Sequence, residues 1–449
     1  MREYCGIFGF LSTKRNVAPY IKIGLFHLQH RGQESAGIVT FNGKDFDTLK
    51  NFGLVTEALS EEGIKSLRGH VGIGHTRYST AGDKDSFNNI QPICIFAHNR
   101  NIALVHNGNL TNADKLKKEL VKEGRVFHST SDSEVILHLY VKYMNLPIPE
   151  RFKRISNEVK GAFSILILED DVLIAFRDKH GTRPLIFGKN EDEIAFSSEE
   201  GALRATGFNN LQEIEPGQLI VVTKNGISEY IIDKEAPKNH CIFELIYFAR
   251  PDGNLFGQSV YEFRKQSGKL LAKKEEFQID IVVPIPDSGV MAALGYSEES
   301  GIPMEFGFIR NHYIGRSFIA PSNREEKVRM KLIPVRSIVE GKRIALIDDS
   351  IVRGTTSGKI IKLLRENGAK EVHMRIASPP VKYPCYFGID IPTHEELIAY
   401  KKDINGIKKE IDADSLVYLD MKDLYSLVKP KKDNFCYSCF IGNHIYKPE

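Results

Sequence analysis

Cys5 is the first residue of the sequence that could act as a nucleophile, and Gly6 follows it directly. Attack on a carboxamide requires a thiolate and a neighbouring base. No histidine is tied to Cys5 by sequence, but a free α-amino group has a reference pKa of about 7.7 to 8.0 and exchanges protons near neutrality. This chemistry requires Cys5 to become the first residue of the mature chain, so we expect residues 1–4 to be removed. An ordinary first β-strand is the alternative for this apolar segment.

A second candidate site lies in RIALIDDSIVRGTTSGKI, residues 343–360. An apolar strand ends there in Asp348 and Asp349, and a short loop with Gly354 then opens a helix. Backbone N–H groups at a helix start favour a phosphate dianion, whereas paired carboxylates suit sugar hydroxyls or magnesium. The segment therefore predicts phosphate and polyol or metal binding side by side, although an ordinary strand-to-helix loop with an acidic cap remains open.

The six cysteines are too few for a disulfide scaffold. Cys94 lies in the apolar QPICIFAH, where we expect a buried structural thiol. The second half contains four cysteines that are candidates for metal binding: Cys241, Cys385, Cys436 and Cys439. If these four thiolates meet, they could hold zinc or a four-iron cluster, and unconnected buried thiols are the alternative.

The elements that position these residues differ between the two halves of the chain. Short β-type segments separated by Gly, Asn and Asp turns fill the first half, with a helix in SDSEVILHLYVKYM, where Ser131 and Glu134 form a capping-box pattern. Residues 233–240 are predicted to connect the halves. From about residue 255 strands alternate with helices, which predicts a parallel sheet whose ligands bind beyond the strands' carboxyl ends.

Length and composition limit the possible classes. The 449 residues suit two domains of about 200 residues each. The net charge of +3 is close to zero for a chain of this length, so the composition does not indicate a broad basic surface that would bind nucleic acid or an anionic membrane. No apolar run approaches the ~20 residues that span a bilayer, and the N-terminus lacks the pattern of a signal peptide. We therefore expect a cytoplasmic protein.

The string IDDSIVRGTTS resembles the phosphoribosyl pyrophosphate loop of type I phosphoribosyltransferases, in the form found in the glutamine phosphoribosylpyrophosphate amidotransferase family. The resemblance implies a pyrophosphate loop in VVPIPDSGVMAALGY, magnesium contacts and a flexible covering loop at 310–332 containing Arg329. The substrate contacts it implies are Asp287, Ser288, Gly289, Lys331, Asp348, Asp349, Ser350, Arg353, Gly354, Thr355 and Thr356. Of these, Ser288, Asp348 and Asp349 would contact the magnesium.

The start CGIFG resembles that of class II, N-terminal-nucleophile glutamine amidotransferase domains. HRGQESAGI, GHTRYST, HNGNLTN and SDSE follow in that family's order. Taken singly, an NG turn or a helix cap would explain two of these strings. Together they imply a role for each of five residues: Cys5 as nucleophile, Arg77 on the glutamine carboxylate, Asp132 on its α-ammonium, and Asn107 with the Gly108 N–H as oxyanion hole.

The four cysteines of the second half resemble those of the iron–sulfur branch of the amidotransferase family. The strings HCIFELIYFARPD, YPCYFGIDIPTHEELIA and FCYSCFIG carry that resemblance. It implies that Cys241, Cys385, Cys436 and Cys439 hold one 4Fe–4S cluster with a structural or regulatory role.

The resemblance as a whole implies an α/β chain with a propeptide at 1–4. An Ntn-hydrolase αββα domain of four layers follows at 5–235, and a type I phosphoribosyltransferase domain at 236–449 has a parallel sheet flanked by helices and contains the iron–sulfur cysteines. Glutamine hydrolysis at Cys5 would supply ammonia, through an internal channel, to phosphoribosyl pyrophosphate. The products would be 5-phosphoribosylamine, glutamate and pyrophosphate, in the first committed step of purine synthesis.

The resemblance further implies magnesium as a cofactor, purine nucleotides as inhibitors and a homotetramer. A rival from another class is a sensor that binds phosphoribosyl pyrophosphate or nucleotides without turnover. The intact nucleophile and oxyanion residues argue against the sensor.

Overall fold

The computed structural model describes residues 5–78, 86–311, 330–391 and 393–449. The expected propeptide at 1–4 lies outside the described residues. Arg329 and most of the expected covering loop also lie outside them.

The strands of the first half form two antiparallel sheets. In chain order they are β1 (Gly6–Ser12), β2 (Ser35–Phe41), β3 (Phe46–Phe52), β4 (Val71–Arg77), β5 (Ile93–Ala97), β6 (Arg100–Leu110), β7 (Gly161–Glu169), β8 (Val172–Arg177), β9 (Ile186–Lys189), β10 (Glu193–Ser197), β11 (Leu211–Glu213), β12 (Gln218–Thr223) and β13 (Gly226–Ile231). One sheet has the order β11–β9–β10–β1–β4–β2–β3, and the other has the order β13–β12–β8–β7–β6–β5.

Helices cover the outer faces of both sheets. In chain order they are α1 (Ala18–His27), α2 (Val55–Ala58), α3 (Glu61–Ser66), α4 (Ala113–Lys122), α5 (Ser133–Lys142), α6 (Ile148–Glu158) and α7 (Glu200–Ala205). α1 and α7 pack on the sheet of β1, whereas α5 and α6 pack on the sheet of β7. Ile7 and Ile73 meet Val105 and Leu166 between the sheets. The expected αββα arrangement is confirmed.

Burial on both faces explains the apolar strands of this half. Every residue of β7, GAFSILILE, is buried because the second sheet lies on one side and α5 and α6 on the other. The first half was predicted to contain many short β-strands. β6, β8, β10 and the β12–β13 hairpin are among the strands that confirm this prediction.

The second half contains a parallel sheet of order β17–β20–β21–β22. The remaining strands are β14 (His240–Cys241), β15 (Asn254–Leu255), β16 (Gln258–Ser259), β17 (Ile281–Pro284), β18 (Phe308–Arg310), β19 (Leu332–Pro334), β20 (Arg343–Asp348), β21 (Glu371–Ile376), β22 (Ser415–Tyr418) and β23 (Phe435–Cys436). Those outside the parallel sheet form three two-stranded pairs, β14–β23, β15–β16 and β18–β19.

Helices flank this parallel sheet on both faces, as predicted. The helices of this half are α8 (Val260–Ala272), α9 (Val290–Ser300), α10 (Arg336–Val339), α11 (Thr355–Glu366), α12 (Ile398–Lys401), α13 (Ile404–Glu410), α14 (Met421–Leu427) and α15 (Ser438–Ile441). α8 and α9 share an apolar cluster with Ala345 and Ile347 of β20, whereas α11 and α13 pack against Ile344 and Leu346. Alternate side chains of one strand thus face opposite helical layers.

Two local expectations are wrong. Cys94 is exposed, because it lies on β5 at the open edge of its sheet. The capping box is also absent: α5 begins at Ser133, and Asp132 occupies the N-cap position. Glu134 instead accepts hydrogen bonds from the backbone N–H groups of His128 and Ser129, at 2.8 and 2.7 Å.

No helix within the part of the chain that the structure describes is long and apolar enough to cross a membrane.

The packing of α8 on α9 depends on glycine at position 268. A Cβ placed on Gly268 would lie 1.8 Å from the carbonyl oxygen of Ala292 on α9. We expect Gly268→Ala to lower the free energy of unfolding by about 1–3 kcal/mol, because the helices must move apart. Chemical denaturation measures this loss.

Gly201→Ala is the matched control, since Gly201 is also helical. Its Cβ would have no neighbour closer than 3.7 Å. Alanine should be neutral there or stabilising by up to about 1 kcal/mol. Equal stabilities for the two variants would contradict the prediction.

Candidate active sites

Cys5 lies immediately before β1 in the middle of its sheet. The paired strand β4 places Thr76 opposite Gly6 and ends at Arg77. The Cys5 side chain is 8% exposed, and its Sγ lies 3.7 Å from the carbonyl oxygen of Tyr78. The nucleophile is therefore held inside the protein at the edge of the sandwich.

Burial raises the pKa of the Cys5 thiol to about 11. The Tyr78 contact and the positive charges of Arg77 and Arg183 lower this pKa in part, while the charge of Asp132 raises it. The thiol is thus protonated at neutral pH. Nucleophilic attack needs a base that removes this proton.

Asn107 and Gly108 lie together on β6. Asn107 is fully buried, and its Nδ2 donates to Ser198 Oγ at 3.4 Å; its Oδ1 has no hydrogen-bond partner within the described residues. Ser198 Oγ also accepts from the N–H of Ile7 at 3.1 Å. Ser198 therefore connects the Asn107 amide to the strand that follows Cys5.

Gly108 occupies a backbone conformation that only glycine tolerates. Its φ is +154°, and a Cβ would lie 1.9 Å from the carbonyl oxygen of Ala162 on β7. Asp132 lies nearby and accepts from the Leu110 N–H at 2.9 Å. The structure therefore holds all five residues of the predicted glutamine site around the β1, β4 and β6 strand ends.

A cavity of about 800 Å³ opens beyond the carboxyl ends of β17 and β20. Eight predicted substrate contacts line it: Ser288, Asp348, Asp349, Ser350, Arg353, Gly354, Thr355 and Thr356. Three others do not. Asp287 forms an ion pair with Arg310, Gly289 packs against the carbonyl oxygen of Ile347, and Lys331 is an exposed residue beside β19.

Burial disfavours the charged form of both carboxylates in this cavity and raises the pKa of each. Burial and the charge of Asp349 raise the pKa of Asp348 well above its usual range. Burial also raises the pKa of Asp349, and the hydrogen bond that the Ser350 hydroxyl donates to Asp349 lowers this pKa in part. Ser288 Oγ donates to Asp348 Oδ1 at 3.2 Å. A divalent cation would stabilise both ionised carboxylates.

Gly354 begins the turn for which phosphate binding is predicted. Its φ is +76°, and it is the N-cap of α11, so Thr355 and Thr356 occupy the first helical turn. Their backbone N–H groups have no partner inside the helix and are available to an anion. Arg353 Nε donates to Glu396 Oε2 at 2.6 Å at the rim of the same cavity.

The four cysteines of the second half approach one another, although Cys241, Cys385 and the Cys436–Cys439 pair are distant in sequence. Cys241 on β14 is in register with Cys436 on β23. The carbonyl oxygen of Cys439 accepts from the N–H groups of Lys382 and Tyr383, which precede Cys385. Burial raises the pKa of the Cys439 thiol, and the charges of the other three thiols add to the shift.

Four cysteine side chains are the donor set that a 4Fe–4S cluster requires. Within the described ranges, no three His, Cys, Asp or Glu side chains form a group that could hold one metal ion. A four-iron cluster has a different requirement, because each thiolate binds a different iron and the sulfurs are spread around it. The N–H groups of Phe387 and Ile389 both donate to Cys385 Sγ at 3.4 Å, and the same two donors would stabilise a thiolate bound to iron.

Several residues of these sites escaped the sequence reasoning. Ser198 directly follows β10, in a stretch whose residues carried no chemical signal in the sequence. Tyr247 and Asp390 line the cavity from segments outside the phosphoribosyl motif. Arg31 belongs to the motif HRGQESAGI, and its Nε donates to the Cys5 carbonyl at 3.3 Å, but the motif alone gave it no role.

The αββα sandwich with Cys5 before its central strand defines a glutamine amidotransferase, and a family model described as a glutamine amidotransferase domain matches residues 75–205. The amidophosphoribosyltransferase of Methanocaldococcus jannaschii is 46% identical, over 98% of this chain and 97% of that protein. The amidophosphoribosyltransferase of Bacillus subtilis is 42% identical, over 99% of this chain and 94% of that protein. The chain belongs to the amidophosphoribosyltransferase family, enzymes of purine biosynthesis.

A solved structure gives the same result over the whole chain. Glutamine phosphoribosylpyrophosphate amidotransferase from B. subtilis, complexed with ADP and GMP, superposes with a TM-score of 0.93 at 40% identity and covers 99% of this chain and 98% of that one. The predicted enzymatic function is confirmed, and the sensor alternative finds no support.

Proposed function

We propose that this amidophosphoribosyltransferase divides its reaction between the two sites described above. Glutamine is hydrolysed at Cys5, and ammonia passes internally to the cavity beyond β17 and β20. There it displaces pyrophosphate from phosphoribosyl pyrophosphate and gives 5-phosphoribosylamine. One observation carries this proposal: a single chain contains both a buried cysteine site and a carboxylate cavity beside a helix N-terminus.

At the first site, Cys5 Sγ attacks the glutamine carboxamide. The Cys5 α-amine, free once residues 1–4 are removed, takes the thiol proton and returns it to the leaving ammonia. Water then hydrolyses the thioester and releases glutamate. Asn107 Nδ2 and the Gly108 N–H stabilise the oxyanion, whereas Arg77 and Asp132 bind the carboxylate and α-ammonium of glutamine.

At the second site, the turn that begins at Gly354 binds the 5-phosphate. The residues proposed for it are Ser350, Arg353, Gly354, Thr355 and Thr356, with Asp287, Gly289 and Lys331 closer to the pyrophosphate. Asp348, Asp349 and Ser288 would hold magnesium, which neutralises charge on the departing pyrophosphate when bound. Magnesium commonly uses one or two carboxylates together with water and substrate phosphates, so a pair of acidic residues suffices.

We further propose domains at 5–235 and 236–449, and one 4Fe–4S cluster on Cys241, Cys385, Cys436 and Cys439. The ADP and GMP bound to the B. subtilis enzyme support purine nucleotides as inhibitors. A cytoplasmic homotetramer is the assembly that the family resemblance implies.

If the α-amine of Cys5 is the base, the mature chain must begin at Cys5, and its mass follows from this. We expect anaerobically purified, denatured protein to lack Met1–Tyr4, because only then does Cys5 carry a free amine. Intact mass spectrometry measures this directly. A variant in which Cys5 directly follows the initiator methionine is the control, since methionine removal exposes the same amine. Full glutaminase activity in protein that retains all four residues would overturn the assignment of the base.

Substitution of Asn107 separates the two half-reactions. We expect Asn107→Ala to lower the glutamine-dependent kcat by about 10²–10³, because an oxyanion donor is lost. Ammonia-dependent synthesis should remain. Pyrophosphate release with each nitrogen source measures both activities. Cys94→Ala, at an exposed position of β5, should change neither. Equal loss of both activities in Asn107→Ala would contradict the assigned role.

The cluster proposal predicts iron and acid-labile sulfide in anaerobically purified protein, with visible absorbance. Cys385→Ser should lose this absorbance and most of the iron, because the cluster loses one thiolate ligand. The two backbone N–H groups that donate to Cys385 Sγ also lose their sulfur acceptor. Cys94→Ser should keep both. Stoichiometric zinc without sulfide in the unmodified chain would exclude the cluster.

A further inference from the structure

The proposed nucleophile and the proposed oxyanion donors lie on opposite sheets of the sandwich. Cys5 directly precedes β1 in one sheet, whereas Asn107 and Gly108 belong to β6 in the other. The layer between the sheets is apolar and contains residues such as Ile7 and Val105. Because apolar contacts have no preferred direction, they do not determine which way the Asn107 amide points. A directional contact must orient this amide toward Cys5.

The Ser198 hydroxyl makes such a contact at the point where β10 ends. β1 and β10 pair in antiparallel register as far as Phe8 and Ser197. One residue further, the Ser198 N–H donates to the carbonyl oxygen of Ile7, and the Ile7 N–H donates to Ser198 Oγ, each at 3.1 Å. In a regular antiparallel pair the backbone carbonyl of Ser198 would accept this second bond. A hydroxyl therefore takes the place of a carbonyl two residues after Cys5.

The same hydroxyl oxygen reaches the opposite sheet. It accepts from Asn107 Nδ2 at 3.4 Å, and both side chains are fully buried. A primary amide nitrogen has two N–H donors, so one is held by Ser198 and the second is available to an oxyanion. Asn107 Oδ1 has no hydrogen-bond partner among the described residues. The contact with Ser198 thus distinguishes the two orientations of the amide and fixes its nitrogen on the side of β1.

A second polar contact between the sheets acts on the backbone instead. His75 Nε2 on β4 donates to the carbonyl oxygen of His106 on β6 at 3.1 Å. This bond holds β6 against the first sheet one residue before Asn107. The β6 backbone and the Asn107 side chain therefore have separate supports, and the support of the side chain is Ser198.

We propose that Ser198 is a positioning residue for the oxyanion hole of the glutaminase reaction. Its hydroxyl orients Asn107 Nδ2 toward the reacting carbonyl and ties it to the strand that follows Cys5. Without this hydroxyl, the Ile7 N–H and Asn107 Nδ2 lose their common acceptor, and the amide is free to rotate. A displacement of about 1 Å in such a group can cost about 10²-fold in rate. This inference rests on the proposed glutaminase function.

The first test is Ser198→Ala in the full chain. Glutamate formation at saturating glutamine, in the presence of phosphoribosyl pyrophosphate, should fall about 10- to 100-fold in kcat. The KM for glutamine should stay unchanged, because Arg77 and Asp132, which are assigned to its charged groups, are retained. Ammonia-dependent synthesis should also remain. A rise in KM without a loss of kcat would contradict a role in the oxyanion hole.

A double-mutant cycle shows whether Ser198 acts through Asn107. In the Asn107→Ala background, Ser198→Ala should lower kcat no further, because the group that it positions is already absent. A serine that only stabilises the fold would cause the same fold-loss in both backgrounds. Equal losses would therefore overturn the inference.

Ser12→Ala is the matched control. Ser12 is also a buried serine, and its Oγ donates to Glu193 Oε1 at 3.0 Å. It ends the seven-residue strand β1, so it lies roughly 20 Å from Cys5. Ser12→Ala removes the same hydroxyl and should lower the denaturation midpoint, but it should leave the glutaminase kcat unchanged.

Alkylation of Cys5 by iodoacetamide separates the nucleophile from the oxyanion hole. The thiolate displaces iodide in this reaction and no oxyanion forms, so Ser198→Ala should react at the rate of the unmodified protein, measured by peptide mass spectrometry. Slower alkylation would mean that the substitution displaces Cys5 itself and would overturn the assigned role. An unmodified enzyme that forms no glutamate from glutamine would instead refute the proposed function.

Discussion

Arg31 and Arg183 of the first half share one carboxylate of the second half, that of Glu244, and all three side chains are fully buried. A buried charge is tolerated only when it is paired, and removal of one partner typically costs about 3–5 kcal/mol. The backbone position of Cys5, whose carbonyl oxygen accepts from Arg31, therefore depends on how the two halves meet. One apolar cluster includes Phe8 and Leu25 of the first half together with Phe243 and Phe435 of the second half, so the two halves share a core.

Each active site uses a different property of its sheet. The sandwich buries Cys5 at the start of a central strand, so the thiol loses solvation and its proton must be removed by a neighbouring base. The parallel sheet brings the ends of β17 and β20 together, so Ser288 meets Asp348 without being near it in sequence. The first site depends on burial of the thiol, and the second depends on strands that end side by side.

The expectations that failed show where local pattern is insufficient. Cys94 lies in an apolar segment, but it is exposed because β5 is an edge strand, and sheet order is a long-range property. Ser131 and Glu134 have the spacing of a capping box, yet Glu134 binds the backbone of the preceding loop instead. Local rules compete with tertiary hydrogen bonds, and burial of the Glu134 carboxylate favours the contacts that satisfy both of its oxygens.

The sequence by itself determined the predictions made for both sites: a cysteine whose proposed chemistry needs a terminal amine, a proposed oxyanion pair at Asn107 and Gly108, and a carboxylate pair followed by a predicted phosphate turn. These features are contiguous in the chain, so short strings carry them. Only the tertiary structure decided that Cys241, Cys385, Cys436 and Cys439 approach one another, that Ser198 supports Asn107, and that Glu244 reaches Arg31 and Arg183. Those contacts join residues far apart in sequence, and they form because buried polar and charged groups must find partners once the two halves pack.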